Sequence, residues 1–322
     1  MTDKRRRILI AGLAAGLAGA VPALAARPGM PGAGARLNGF DLSNASIPLE
    51  EIERGGPPRD GIPAIDAPRF VAAAQASFLR PESRVLGIAL GGVAKAYPIA
   101  ILNWHEIVND RIGDQPLLVT FCPLCGTGMA FRPQARGRTL RFGVSGLLHN
   151  SDLLLYDRET ESLWSQLIGT AITGTLRGER LPALAASHTT WREWRNRHPA
   201  TLVLSQETGH LRDYGRDPYA GYEKSEQLLF SVRNSSARYH PKEQVLGIEL
   251  GALRKAYPFA ELQRARLPLR DRIGDQDVTV EFDAENRTGR VLDAAGRELP
   301  SVISFWFAWY AFHPQTQVFT AP

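Results

Sequence analysis

One stretch of the chain occurs twice. "RVLGIALGGVAKAYPIAIL" at residues 84–102 returns as "QVLGIELGALRKAYPFAEL" at 244–262. The match resumes one residue out of step, where "DRIGDQPLLVTF" at 110–121 becomes "DRIGDQDVTVEF" at 271–282. A weaker likeness joins "LYDRETESLW" at 155–164 to "YAFHPQTQVF" at 310–319. A period this long marks a duplicated sub-domain, because solenoid repeats recur at roughly 20–50 residues. The fold expected is therefore α+β and β-rich: a pseudo-duplicated β unit, about 80–170 and 240–322, joined by a helix-containing middle segment. Residues 66–322 then form one large domain.

Each unit has a legible order of elements. "RVLGIAL" and "VAKAYP" alternate around Gly91-Gly92, the pattern of a β-hairpin. Pro98 ends the second strand, and "IAILNWHEIVND" predicts a short helix with Ile101, Trp104, Ile107 and Val108 on one face. "GDQ" turns the chain into the buried strand "PLLVTF", and a meander of strands follows to about residue 170. "TTWREWRNRHPATLVLS" predicts an amphipathic helix and then a strand, and "TGHLRDYGRDPYAGYEKSEQ" a long surface segment bearing tyrosines. Residues 26–65, rich in Gly and Pro, predict an extended lead-in.

The first 25 residues carry a basic start, an apolar run from Ile8 to Val21, and Ala23-Leu24-Ala25 as a small-x-small cleavage site. That is the grammar of a signal peptide, and "RRRIL" also resembles a twin-arginine signal. The expectation is a periplasmic or secreted protein with no transmembrane span in the mature chain. Lys4, Arg5, Arg6 and Arg7 against Asp3 hold three of the five net positive charges. What remains, about +2 and evenly spread, does not fit a nucleic-acid binder.

The only two cysteines, Cys122 and Cys125, lie in "VTFCPLCGTGMAF". In the second unit their positions hold Asp283 and Asn286, while the strand residues Val119 and Phe121 keep apolar counterparts in Val280 and Phe282. The strand thus folds without thiols, and the first unit has a chemistry that the second lacks. Three readings stand. A disulfide across two intervening residues closes a very short loop and stabilises least. Cys-Pro-x-Cys also occurs in thiol-disulfide oxidoreductases, where Cys122 would attack and Cys125 resolve, but a helix N-terminus normally activates the thiolate. Gly126-Thr127-Gly128 followed by "MAFRP" reads as β structure instead.

The metal reading fits the local grammar best, because Cys-Pro-x-Cys-Gly is a knuckle that converges two sulfurs on one ion of zinc, iron or copper. One knuckle supplies two ligands, and histidine is the usual complement. His105 is the first candidate, with Glu106 beside it, and His149 in "SGLLHNSD" the second. Asp152 and Arg158 are placed at the mouth of the cysteine site, with Glu106 or Asp152 able to orient an imidazole. Asp157-Arg158 can equally form a surface ion pair. If the cysteines are only a staple, the chain reads as a noncatalytic binding module for envelope polymers, with Tyr214, Tyr219 and Tyr222 carrying contacts.

"ILNWHEIVND", "VTFCPLCGTGMAF", "FGVSGLLHNSDLLLYDRETESLWSQLIGTAITG", "TTWREWRNRHPATLVLS" and "PKEQVLGIELG" together resemble the bacterial domain-of-unknown-function family numbered 3179, over about residues 60–322. The resemblance implies exported or lipid-anchored bacterial proteins with an unassigned role, and it supplies no catalytic residues. Both cysteines lie far inside the chain, so it gives no lipobox cysteine for an anchor.

Overall fold

The computed structural model describes residues 35–322; the expected signal peptide, its expected cleavage site and the start of the expected lead-in lie outside the described residues. The chain is β-rich, and five sheets of four or five strands form a five-blade propeller-like arrangement. The first blade is ordered Ser187–Thr190, Arg84–Leu90, Val93–Pro98, Leu202–Leu204 and Phe70–Ala72. The second runs Ala183–Leu184, Thr127–Phe131, Gln115–Cys122, Ile107–Ile112. The third is Thr170–Ala171, Leu163–Ser165, Asp152–Asp157, Phe142–His149, Ile52–Arg54.

The fourth blade has the order Ser301–Phe305, Gln244–Leu250, Leu253–Pro258, Gln317–Val318, which matches the first four strands of the first blade. The fifth, Leu269–Ile273 to Glu298–Leu299, matches the second. In both halves the last matched strand runs parallel to its neighbour: Leu202–Leu204 on Val93–Pro98, and Gln317–Val318 on Leu253–Pro258. A short helix precedes each of these strands, Trp191–Arg197 in one half and Trp306–Phe312 in the other. The segment matching 310–319 is therefore 195–204 and not 155–164. Strands 142–171 of the third blade come between Thr127–Phe131 and Ala183–Leu184 of the second, whereas Thr288–Leu292 of the fifth blade leads directly to Glu298–Leu299, which displaces the register.

The side chains repeat as well. Trp194 lies against Gly87 and Trp309 against Gly247, each so close that a Cβ on the glycine would sit about 2.3 Å from the indole. Each indole N–H donates to a threonine hydroxyl at 2.9 Å, Trp194 to Thr201 and Trp309 to Thr316. A histidine packs at a tilt on each ring, His198 at 4.2 Å and His313 at 4.3 Å between centroids. Lys95 and Tyr97 both bond Asp110, as Lys255 and Tyr257 both bond Asp271. Because backbone and ring leave no space there, Gly247→Ala should lower unfolding stability by about 1–3 kcal/mol, measured as a fall in the urea midpoint at constant slope.

Two local expectations are corrected. The helix after Pro98 spans only Ile99–His105: Glu106 adopts φ 58° and stops it, and Ile107 and Val108 begin a strand. The lead-in packs as part of the fold, with Phe40 and Ile52 buried and Ile52–Arg54 forming an edge of the third blade.

Candidate metal centre

The strands Gln115–Cys122 and Thr127–Phe131 form a hairpin whose turn is Cys-Pro-Leu-Cys-Gly. Gly126 has φ 63°, and a Cβ there would press at 3.1 Å on the ring of Phe305. The turn is fastened to the fourth blade by the Phe305 amide, which donates to the Cys125 carbonyl at 2.8 Å. The turn is sealed, with Cys122 2% and Cys125 0% exposed, and the thiols are free, not bridged.

The equivalent turn of the second half closes differently. There the Asn286 amide groups donate to the Asp283 carboxylate at 2.7 and 3.1 Å, and Asn286 Oδ1 accepts from Thr190. That turn satisfies itself with hydrogen bonds. In the first half the thiols instead face outward from the turn to the third blade, where the Ser151 carbonyl lies 3.4 Å from Cys125 Sγ and 3.9 Å from Cys122 Sγ.

The third blade supplies the opposing wall through a two-residue hairpin loop. His149 pairs with Asp152, and Asn150 and Ser151 between them have φ 53° and 63°. Two successive positive φ angles are the geometry of a type I′ turn. Serine at the second of these positions costs energy that glycine would not, and the loop holds the Ser151 carbonyl and the Asp152 side chain at the sulfurs. Ser151 Oγ and Asn150 Oδ1 anchor the loop to Phe230 and Arg233, just beyond the tyrosine-bearing segment.

Cys122, Cys125 and Asp152 each place one ligand atom within 4.8 Å of the others, and all three are buried. Two sulfurs each 2.3 Å from a tetrahedral ion stand about 3.8 Å apart, so the cluster has the right scale. Asp152 Oδ2 accepts from the Leu167 amide at 2.9 Å, while Oδ1 has no hydrogen-bond partner among the described residues. Burial raises the Asp152 carboxyl to about 7 against the lowering effect of the Leu167 amide. Burial, and then the charge of Asp152, raises Glu106 to about 8. Burial also raises both thiols, Cys125 well above the usual range. Four acidic groups thus crowd a dry space where none ionises easily. A divalent cation would reverse that by stabilising the anionic forms.

His105 does not join them. It is fully buried, but its Nδ1 bonds the Pro63 carbonyl and its Nε2 the Tyr214 hydroxyl, both at 2.7 Å, which leaves no nitrogen for an ion. Burial holds it at about 4, neutral under ordinary conditions. Tyr214→Phe should cost about 1 kcal/mol of stability without altering metal content, as thermal unfolding and elemental analysis would record. His149 turns its Nε2 to Glu51 at 3.1 Å and packs edge-on to Phe312, away from the sulfurs. Arg158 pairs with Asp66 at 2.7 Å. Asp157 is buried and accepts from Thr160 and the Trp164 indole, so the expected Asp157-Arg158 surface pair is absent.

Among the tyrosines, Tyr214 is engaged with His105, while Tyr219 and Tyr222 pack on the core cluster that contains both cysteines. The segment therefore covers the cysteine site. Protonated, buried thiols are the opposite of the exposed, low-pKa thiolate that disulfide exchange needs.

From the sequence Asp152 is expected at the mouth of the site, orienting an imidazole, because histidine is the usual complement of thiolates. The signal for it was present in "LLHNSDLLL": two residues, Asn first, between alternating runs mark a tight hairpin, whose closing residue is Asp152.

No curated protein and no solved structure matches the chain. A family model described as "Protein of unknown function (DUF3179)" matches residues 59–316, which takes in both halves, the cysteine turn and the hairpin loop opposite it. The chain belongs to that family.

Proposed function

We propose that the chain is an exported metal-binding protein whose ion is held by the thiolates of Cys122 and Cys125 and a carboxylate oxygen of Asp152, with Glu106 as the neighbouring anion. The observation that carries this reading is the convergence of two unbridged, buried thiols with a buried carboxylate whose Oδ1 has no hydrogen-bond partner among the described residues. Mixed sulfur and oxygen donors suit zinc or ferrous iron, and the ligands' burial beneath Tyr219 and Tyr222 suits a closed centre more than an open catalytic one. Export rests on the basic, apolar and small-x-small grammar of the first 25 residues; no helix among the described residues is long and apolar enough to cross a membrane.

The two halves are read as copies of one sub-domain in which only the first kept a metal turn. Their shared strand order and the paired Trp-Gly-Thr-His packing support this. Metal titration of chelator-treated protein against a chromophoric competitor tests the ligand set. Asp152→Asn keeps the Leu167 hydrogen bond but removes the anionic donor, and should weaken zinc by more than the 10–100-fold typical of an outer partner. His105→Gln should leave affinity unchanged. Equal affinity of Asp152→Asn and the parent protein would remove Asp152 from the ligand set.

A further inference from the structure

On the other side of the cysteine turn lies a second, separate feature. A cavity of about 260 Å³ is walled by Pro123 and Gly126 of the turn, by Phe121, Phe305, Tyr219 and Tyr222, and at one end by polar groups. Arg84 and Gln244, which begin the equivalent strands of the two halves, both reach it. Ligand sites recur at such junctions.

The polar end is short of negative charge. Arg84 donates only to main-chain carbonyls, those of Asn286, His188 and Arg287, and has no carboxylate partner among the described residues. Burial, and then the positive charge of Arg287 beside it, lower it to about 9. Arg287 bonds Gln244 and, at 3.3 Å, Glu223. The acids that line the cavity are already held: Glu223 by Arg287, and Asp217 by Asn103 and the Tyr219 amide. His188 lines the same end at 6% exposure, and its buried Nδ1 has no hydrogen-bond partner. The charges that act on this imidazole are Arg84 and Arg287, both positive. A buried guanidinium satisfied only by carbonyls keeps an uncompensated charge, and a buried unpaired ring nitrogen adds a second vacancy for a polar partner.

We propose that this cavity binds a small monocarboxylate with an apolar body. Its carboxylate lies between His188 and the guanidiniums of Arg84 and Arg287, and its body lies among Phe121, Phe305 and Tyr222. The twin half offers no such site, because Ile303 stands where His188 does and Gly126 where Arg287 does. The inference does not depend on the metal reading, since none of these groups is a proposed ligand.

The test uses the full-length mature protein, metal-loaded and chelator-treated, titrated with benzoate and with benzyl alcohol as the neutral counterpart. Benzoate is expected to saturate with a Kd of about 1 mM or tighter, and benzyl alcohol to bind at least about tenfold more weakly. Arg287→Gln, at a half-exposed position, and His188→Leu should each weaken benzoate about fivefold or more while thermal unfolding stays cooperative. The proposal is overturned by no saturation up to about 10 mM, by equal binding of the two probes, or by benzoate binding unchanged in a folded Arg287→Gln protein.

Discussion

Replacing Cys122 and Cys125 together by serine will leave a folded protein that retains no metal. A serine hydroxyl stays protonated at neutral pH and cannot supply the anionic donor that a thiolate does. Loss of a ligand exceeds the 10–100-fold typical of losing an outer partner, so either single change should lower zinc affinity at least about a hundredfold. The fold should survive, because the second half makes the same hairpin with Asp283 and Asn286 in place of the thiols. The check is metal content after gel filtration, paired with circular dichroism. Full metal occupancy in the double variant would place the ion elsewhere.

The second large effect is a pH dependence that changes sign with metal. In the metal-free protein, Asp152 sits at about 7 when folded against 3.8 unfolded, and Glu106 at about 8 against 4.5. Raised folded-state values mean that the folded protein binds more protons between about pH 4 and 8. The stability associated with the neutral carboxyls is fully present below the unfolded values and is lost as pH rises through the folded ones. For Asp152 alone the loss is on the order of 4 kcal/mol.

With an ion bound the same groups are held ionised, and protons compete with the metal. Stability of the loaded protein should then rise over the window in which that of the metal-free protein falls. Urea unfolding at a series of pH values, with and without chelator, gives the two slopes. Asp152→Asn should flatten the metal-free curve and leave that protein more stable than its parent near pH 8. Parallel slopes in the two conditions would show that these carboxyls do not face a metal.

Much of the architecture was legible because the repeat exposes it. Two hairpins starting "VLGI" and ending "KAYP" predict equivalent blades, and both form. What the sequence concealed was the insertion of the third blade, which moved the matching helix and strand from 155–164 to 191–204. It also concealed the stop at Glu106, since a non-glycine residue at positive φ has no composition signal.

The site divides the same way. The knuckle was readable because its donors are three positions apart and the turn dictates their convergence. Asp152 is brought in by the packing of a different blade, which local pattern cannot supply. His105 was favoured by nearness in sequence and by the usual chemistry of thiolate sites, but Pro63 and Tyr214, each far along the chain, already occupy both of its nitrogens. The cavity at Arg84 and His188 left no local motif, because its walls come from many separate stretches of chain.

Elemental analysis of the protein purified from its native compartment, with thiols counted before and after unfolding in chelator, tests the central claim most directly. The account predicts about one zinc or iron per chain, and two thiols that react only once chelator and denaturant expose them. No metal together with no free thiols would contradict it, and would make the turn a disulfide.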